Sequence, residues 1–184
     1  MIKISKKIKL IRIRVILLIP IFFIFFSISG FSQTSRLTIT SGNSVYFPFN
    51  SLAKMNNGIS WVNWTRVTVF YSSLPGPGPF IWRLEVVPNS ANFDGDAGNT
   101  MTLDHVEIQA SDGGGNLSAA NYFGPLGLDS PSPIVIVSGG QEGDATDNII
   151  DISYYCGTNV GNRVIGSSPD YYYLDLIFTL RPDN

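Results

Sequence analysis

Oxygen-bearing side chains cluster in one stretch of the sequence, NFDGDAGNTMTLD, which supplies Asp94, Asp96, Asn99 and Asp104. Calcium binds six to eight oxygen atoms from carboxylates, amides and backbone carbonyls, often in flexible loops. These four residues are therefore a candidate calcium site. The EF-hand spacing is not kept, because Gly98 stands at the third ligand position and Asn99 where the glycine belongs. Asp, Asn and Gly are also the ordinary residues of turns, so a plain turn stays the alternative.

Three aromatic side chains, Trp61, Trp64 and Tyr122, are candidates for ligand contact. An aromatic ring can stack on a flat apolar surface such as one face of a sugar while its polar edge stays in water. In WVNWT the two tryptophans are three positions apart, so a regular strand would point them to opposite faces. The expectation is that one indole belongs to the core and the other is exposed.

The sequence holds one histidine, His105, and it lacks the nucleophile-elbow and P-loop motifs. Metal centres and catalytic triads depend on histidine, and a single one, on the outward face of a predicted strand, does not make a triad. The sequence therefore predicts a protein that is not an enzyme and that has no cofactor besides the candidate calcium. A hydrolase that uses two carboxylates in the cleft of a β-sandwich stays an alternative, because it needs only two acids at a set distance.

The chain begins with a basic segment, then an apolar run from Val15, then small residues at Gly30 and Ser32. This order is typical of a secretory signal peptide, so residues 1–32 are predicted to be removed and residues 33–184 to form the mature domain. Six of the 12 basic residues lie in the leader and none of the 14 acidic residues do. The mature domain then has six bases against 14 acids, a net charge of −8, which disfavours nucleic acid and anionic membrane surfaces as partners. The expected location is secreted or at the cell surface, with the periplasm as a further alternative.

The elements that must position these residues are strands. Apolar side chains recur at every second position throughout residues 33–184, and Gly, Pro, Asn, Asp and Ser separate the runs. The clearest run puts Trp82, Leu84 and Val86 inward and Arg83 and Glu85 outward. This pattern predicts an all-β fold, a single antiparallel β-sandwich of Greek-key or jelly-roll type with about eight strands.

Two local features qualify that prediction. Residues 49–58 suit one short helix, with Asn50 or Ser51 as its N-cap and Gly58 as its stop. The closing run, with Leu174, Leu176 and Phe178 on one face, is predicted to be a central or near-central strand of the sandwich.

The chain has one cysteine, Cys156, in the inward register of IIDISYYC. It is predicted to be a small buried hydrophobic residue.

The pattern of leader, alternating strands, long polar loops and closing alternating strand resembles bacterial pilin and adhesin β-sandwiches, and the GFSQ exit of the leader resembles signal peptides of Bacteroidota. Chaperone–usher pilins carry a paired-cysteine bridge and a penultimate tyrosine, whereas this chain has one cysteine and Asp183 at that place. The resemblance implies an exported, non-enzymatic structural or adhesive surface module. Its expected partners are other copies of itself, surface proteins or glycans. The alternative is a secreted carbohydrate-binding β-sandwich assisted by calcium.

Overall fold

The protein is known from a computed structural model, which describes residues 34–72, 81–115, 120–128 and 132–183. All of these residues fall in one compact unit of the chain. The predicted signal peptide, residues 1–32, lies outside the described residues.

Antiparallel strands form most of the described structure, which confirms the predicted all-β class. Thirteen strands are described where about eight were expected, because the closing run is divided into two strands and four short strands lie in the polar segments between the predicted runs, at Asn92–Gly95, Thr100–Thr102, Asn121–Tyr122 and Leu126–Gly127. The strands are β1 (Thr34–Ser41), β2 (Tyr46–Phe49), β3 (Ile59–Ser72), β4 (Trp82–Pro88), β5 (Asn92–Gly95), β6 (Thr100–Thr102), β7 (Val106–Asp112), β8 (Asn121–Tyr122), β9 (Leu126–Gly127), β10 (Ile134–Gly140), β11 (Ile149–Cys156), β12 (Asp170–Tyr173) and β13 (Leu176–Pro182).

The strands form three sheets, not the two of a simple sandwich. The largest sheet has the order β1-β3-β11-β7-β9, the second β13-β4-β10-β8, and the third β2-β12-β5-β6. The third sheet is built from short strands, and its inward side chains Phe47, Phe49, Phe93 and Tyr172 are fully buried. It therefore adds an aromatic layer to the core.

One short helix, α1 (Leu52–Asn57), occurs where the sequence predicts it. The Ser51 hydroxyl accepts a hydrogen bond from the Lys54 N–H, and the Gly58 N–H donates to the Lys54 carbonyl, so both predicted ends are confirmed. Two 3₁₀ turns lie at Leu103–His105 and Val160–Asn162. In the part of the chain that the structure describes, no helix is long and apolar enough to cross a membrane.

The first and second sheets are joined along one side by residues 121–123. Asn121 pairs with Ser138 of β10, the Phe123 N–H donates to the Ile136 carbonyl at 3.0 Å, and the Ala110 N–H of β7 donates to the Phe123 carbonyl at 3.0 Å. On the other side, β1 and β13 end their sheets, each pairing with one neighbour among the described strands. One seam is therefore closed by backbone hydrogen bonds, whereas the seam between β1 and β13 is open in the sense that the described residues form no backbone hydrogen bonds across it.

The core follows the period-2 pattern of the sequence. Trp82, Leu84 and Val86 of β4 are fully buried, as predicted, and so is Cys156 of β11. Burial raises the pKa of the Cys156 thiol, so the side chain behaves as a neutral, weakly polar hydrophobic residue.

The closing run of the sequence does not form one central or near-central strand, and that prediction is wrong, because the run is divided between two sheets. Its first part, β12, lies between β2 and β5 in the third sheet, where Tyr172 is fully buried. Its second part, β13, is the edge of another sheet, and there Ile177 is 47% exposed. The run is interrupted at residues 174–175, which lets the chain pass from one sheet to another. Leu176 and Phe178 are consequently half-buried.

Glu85 was predicted to be exposed, and it is buried instead. It lies on the outward face of β4, where the Arg83 Nε lies 2.7 Å from one carboxylate oxygen and the Arg181 Nε 2.8 Å from the other. The arginine side chains cover it and satisfy its charge, as a buried carboxylate requires. A similar pair joins β3 to β11, where Arg66 donates two hydrogen bonds to the Asp151 carboxylate at 2.7 and 2.8 Å.

Gly140 is required by the indole of Trp82, its cross-strand partner. A Cβ at Gly140 would lie 2.2 Å from the Trp82 ring, whereas a Cβ at Gly161 would meet nothing within 4 Å. We expect Gly140→Ala to lower the free energy of unfolding by about 2 kcal/mol, in the range of overpacked cores, and Gly161→Ala to change it by less than about 0.5 kcal/mol. Urea denaturation measures both, and equal midpoints for the two variants would show that the strand and the indole are not packed as described.

Candidate functional site

The pairing of β3 with β11 is interrupted by a wide bulge. Ile152 of β11 faces Thr65 and Tyr154 faces Trp61, so three residues of β3 lie opposite Ser153 alone. At the centre of the bulge, Asn63 has a φ of 50°, a conformation that Asn adopts more readily than most residues. Its N–H donates to the Ser153 hydroxyl at 2.9 Å, which fixes the bulge to the neighbouring strand.

The bulge brings both neighbouring tryptophans to one side of the chain. The ring centroids of Trp61 and Trp64 are 4.7 Å apart, and the Trp61 ring lies 6.1 Å from that of Tyr46. We call Tyr46, Trp61 and Trp64 the aromatic strip. Tyr46 is 46% and Trp64 36% exposed, and Trp61 is half-buried. The prediction that Trp61 and Trp64 face opposite sides is therefore wrong, because the extra residues of the bulge break the alternation on which it depended.

Both indoles are held by the same short backbone segment. The Trp61 Nε1–H donates to the Tyr46 carbonyl at 3.0 Å, and the Trp64 Nε1–H donates to the Ser44 carbonyl at 2.9 Å. The polar edge of each ring is thus used inside the protein. A ligand could therefore contact only the ring faces, whose orientation is fixed before any ligand binds.

The strip continues onto the outward face of the third sheet. Tyr173 of β12 is the cross-strand partner of Tyr46 on one side and of Asp94 on the other. Tyr171 and Tyr173 are each 45% exposed, while Tyr172 between them is buried. The exposed surface therefore runs from the two indoles across two tyrosines to a carboxylate.

A cleft opens beside the strip, along the seam between β1 and β13. We call it the seam cleft; it has a volume of about 350 Å³. It is lined by Ile39, Thr65, Tyr154, Phe178 and two backbone segments, residues 42–45 and 173–176. Residues 42–45 thus form a wall of the cleft and also supply the Ser44 carbonyl that holds Trp64.

Two consecutive hydrogen bonds lie at the base of the seam cleft. The Tyr154 hydroxyl donates to the Thr65 hydroxyl at 2.9 Å, and the Thr65 hydroxyl donates to the Gly42 carbonyl at 2.6 Å. Burial raises the pKa of Tyr154 to about 12, against a smaller opposite effect of the Thr65 hydrogen bond, so the phenol stays neutral at neutral pH. Gly42 itself has a φ of 64°, and a Cβ there would lie 2.1 Å from the Trp64 carbonyl oxygen. Only glycine fits at this position.

Three of the four candidate calcium ligands, Asp94, Asp96 and Asn99, lie in or next to the turn between β5 and β6. The turn is held by Asp170 of β12: the Asn99 amide donates to its carboxylate at 2.9 Å, and the Ala97 N–H at 3.1 Å. Burial opposes ionisation of Asp170, but hydrogen bonds from Asn99, Tyr171 and Ala97 outweigh it and lower the pKa. Sequence analysis did not find Asp170, because it is about 70 positions away from the turn that it organises.

The fourth candidate, Asp104, lies in the 3₁₀ turn after β6, where it accepts a hydrogen bond from Thr102. His105 follows in the same turn and not on a strand face, and its Nδ1 lies 2.9 Å from the Asn162 carbonyl oxygen. No group of three or more His, Cys, Asp or Glu side chains that could hold a metal ion occurs within residues 34–72, 81–115, 120–128 and 132–183. Calcium binding stays a prediction.

Tyr122, the third candidate aromatic residue, lies in β8, where it pairs with Val137. Its hydroxyl is buried, and within the described part of the chain no hydrogen-bond partner is found for it. Burial, with a smaller contribution from Asp112, raises the pKa of this phenol to about 12. Tyr122 is not part of the aromatic strip.

Neither Tyr46 nor Tyr173 is among the candidate residues of the sequence analysis. A signal for both was present in the alternation of YFPF and DYYY, where Phe47, Phe49 and Tyr172 point inward and their neighbours outward. What could not be read from the sequence is that these two short strands pair with each other.

Comparisons with known proteins give little beyond the geometry. No protein-family model matches the chain, and no curated protein matches it. Among solved structures, the chain is similar to a family 123 glycoside hydrolase from Clostridium perfringens, analysed for the hydrolysis of glycolipid glycans, with a TM-score of 0.36 and 11% sequence identity. The similarity covers 80% of this chain and 24% of the hydrolase, so the chain spans about a quarter of that enzyme's length. A similarity at this TM-score carries no argument about function.

The bulge can be tested at Asn63. Asn63→Val places a β-branched side chain at a positive φ, which is strongly disfavoured, whereas Asn63→Gly keeps that conformation accessible. We expect Asn63→Val to separate the indoles and to abolish the exciton signal of the tryptophan pair in circular dichroism, and Asn63→Gly to keep it. An undiminished signal in the valine variant, with an unchanged melting temperature, would mean that the bulge does not position the rings.

The role of Asp170 can be tested by pH. Its pKa is lower in the folded chain than in the unfolded one, so its contribution to stability is present above the unfolded value of about 3.9 and is lost as the pH falls through the folded value. We expect Asp170→Asn to be less stable than wild type at pH 7 and the difference to shrink below about pH 4. Urea denaturation at several pH values measures this.

Asp96→Asn is the matched control, because Asp96 lies in the same turn and is exposed. We expect it to stay within about 0.5 kcal/mol of wild type at pH 7. A difference between wild type and Asp170→Asn that persists unchanged to pH 3 would contradict the assignment.

Proposed function

We propose that this chain is an exported, non-enzymatic surface module that adheres to carbohydrate through the aromatic strip. The observation that supports it is the row of rings Tyr46, Trp61 and Trp64, in which Tyr46 and Trp64 are exposed and Trp61 is half-buried. The two indoles are fixed by hydrogen bonds to backbone carbonyls. Aromatic faces bind flat apolar surfaces, and the C–H face of a sugar ring is such a surface.

Pre-organisation strengthens this proposal. Binding costs free energy wherever a flexible side chain must be ordered, about 0.5–1.5 kcal/mol for each. Both indoles are already ordered by the segment Ser44–Tyr46, which is held in turn by the Thr65 hydrogen bond to Gly42. Stacking of a ligand on the strip would therefore require little free energy for ordering the indoles.

Charge favours sugars over polyanions as the ligand class. Asp94 lies next to Tyr173 at one end of the exposed surface, and residues 33–184 carry a net charge of −8 by formal count. Nucleic acid and anionic lipid would be repelled. Carboxylates are in contrast suitable acceptors for sugar hydroxyl groups.

The remaining parts of the proposal follow from the sequence. The basic and apolar leader supports export, with the cell surface, the medium or the periplasm as the destination.

The Nδ1 of His105 lies within hydrogen-bond distance of the Asn162 carbonyl, which supports a non-enzymatic role. Calcium could assist binding through Asp94 and Asp96, which are both exposed near Tyr171 and Tyr173.

A second candidate function is assembly with other copies of the chain, as in pilin-like subunits. The specific observation in its favour is the pair of strands β1 and β13, each of which has one unpaired edge among the described strands. Unpaired edges are sites at which another strand can add to a sheet.

The strip can be tested by Trp64→Ala. Removing a central contact residue typically costs about 2 kcal/mol of binding free energy, which is roughly a 30-fold loss of affinity. We expect this loss against neutral polysaccharides in affinity gel electrophoresis, with and without calcium. The measurement uses the mature chain, and a glycan array identifies the polysaccharide beforehand.

Phe123→Ala is the matched control, because Phe123 is 40% exposed, close to the 36% of Trp64, and lies outside the strip. It should bind as wild type does. If wild type binds no glycan and elutes from size-exclusion chromatography as a polymer, the assembly function replaces the carbohydrate function.

A further inference from the structure

We propose that the seam cleft is the subsite for an uncharged terminal sugar of a glycan whose following sugars lie on the aromatic strip. This inference rests on the proposed function. It adds that the terminal sugar of the glycan is recognised and that this sugar must be uncharged. The strip alone would bind any stretch of a chain, whereas the cleft would select an end.

The cleft and the strip share their structural elements. The carbonyls of Ser44 and Tyr46 hold the two indoles, and residues 42–45 form a wall of the cleft. Tyr173 lines the cleft and is also the cross-strand partner of Tyr46. A ligand that leaves the cleft over this wall therefore meets the strip next.

The cleft is closed at its base. Thr65 is 1% and Tyr154 2% exposed, and their hydroxyl groups are bonded to each other and to the Gly42 carbonyl. Its volume of about 350 Å³ is at the small end of the range for small-molecule sites, about 300–1,000 Å³. A small cleft with a buried base has room for the end of a chain and not for an extended stretch of it.

The lining suits the two chemically different sides of a sugar ring. Ile39 and Phe178 offer apolar surface from the two edge strands, and Asn43 and Asp175 offer polar groups from the segments that flank the cleft. A sugar ring presents C–H groups on its faces and hydroxyl groups at its edge. The C–H face would pack on the apolar wall, and the hydroxyl groups would bond to the polar one.

The charge of the site excludes acidic sugars. Asp175 lines the cleft, and the described lining contains no Lys or Arg. A uronate in this position would face the Asp175 carboxylate without a compensating base, and like charges at short distance repel. Neutral terminal sugars are therefore preferred.

The terminal subsite can be tested by a substitution in β1 that fills the cleft with a larger side chain. Ile39 is 41% exposed and lines the cleft. Thr38, the preceding residue of β1, is exposed on the other face of the strand. We expect Ile39→Trp to lose at least tenfold in affinity for short neutral oligosaccharides and to keep its binding to long polysaccharide, which the strip supports. Thr38→Trp should bind both as wild type does. Asn43→Trp, which fills the cleft from the exposed loop, repeats the test if Ile39→Trp does not fold.

The charge requirement is tested with the same oligosaccharides carrying a terminal uronic acid. Wild type should bind these at least tenfold more weakly than the neutral chains at low salt, and Asp175→Asn should reduce that difference. Equal affinity of wild type for neutral and acidic ends would overturn the preference.

The outcomes separate this inference from the proposed function. If Trp64→Ala loses binding while Ile39→Trp and Asn43→Trp bind short oligosaccharides as wild type does, the terminal subsite is wrong and the strip stands. If wild type binds no neutral glycan at all, the proposed function fails and the subsite fails with it.

Discussion

The alternating apolar side chains of β3, β4 and β11 can leave water only if their strands stack face to face, and the rest of the structure follows from that requirement. Fully burying one such side chain contributes about 1.5–3 kcal/mol, whereas an exposed ion pair contributes about 0–1 kcal/mol. Rows such as Trp82, Leu84 and Val86 therefore decide which strands face one another. The outward positions are then free to hold polar pairs such as Arg66 and Asp151.

The candidate site lies where this regular packing is interrupted. At the bulge, three residues of β3 share one partner in β11, and at the seam between β1 and β13 the first and second sheets are not joined by a strand of the described chain. Bulges commonly redirect side chains next to functional sites. Here the bulge turns Trp64 toward the Ser44 carbonyl, and the open seam leaves the neighbouring cleft accessible.

A small number of polar contacts converts these interruptions into a defined surface. The Ser153 hydroxyl fixes Asn63, the Thr65 hydroxyl fixes Gly42, and the Asp170 carboxylate fixes the turn that contains Asn99. Each contact joins segments that are distant in the sequence, and each satisfies a backbone or amide donor or acceptor that would otherwise lose water without compensation. The exposed rings and carboxylates are thus held in defined positions, which lowers the free energy needed to order them on binding.

The all-β class, the short helix at Leu52–Asn57 and the buried row of β4 could be predicted from the sequence, because each depends on a pattern that is complete within about ten residues. The period of two places Trp82 inward whatever its strand partners are, and Ser51 and Gly58 mark the helix ends by their own chemistry. The tertiary structure alone decided the number of sheets, the division of the closing run into β12 and β13, and the meeting of Trp61 and Trp64. Strand pairing and bulges depend on which distant strand lies alongside. The alternation within one strand therefore does not indicate which of its residues will lack a partner in the neighbouring strand.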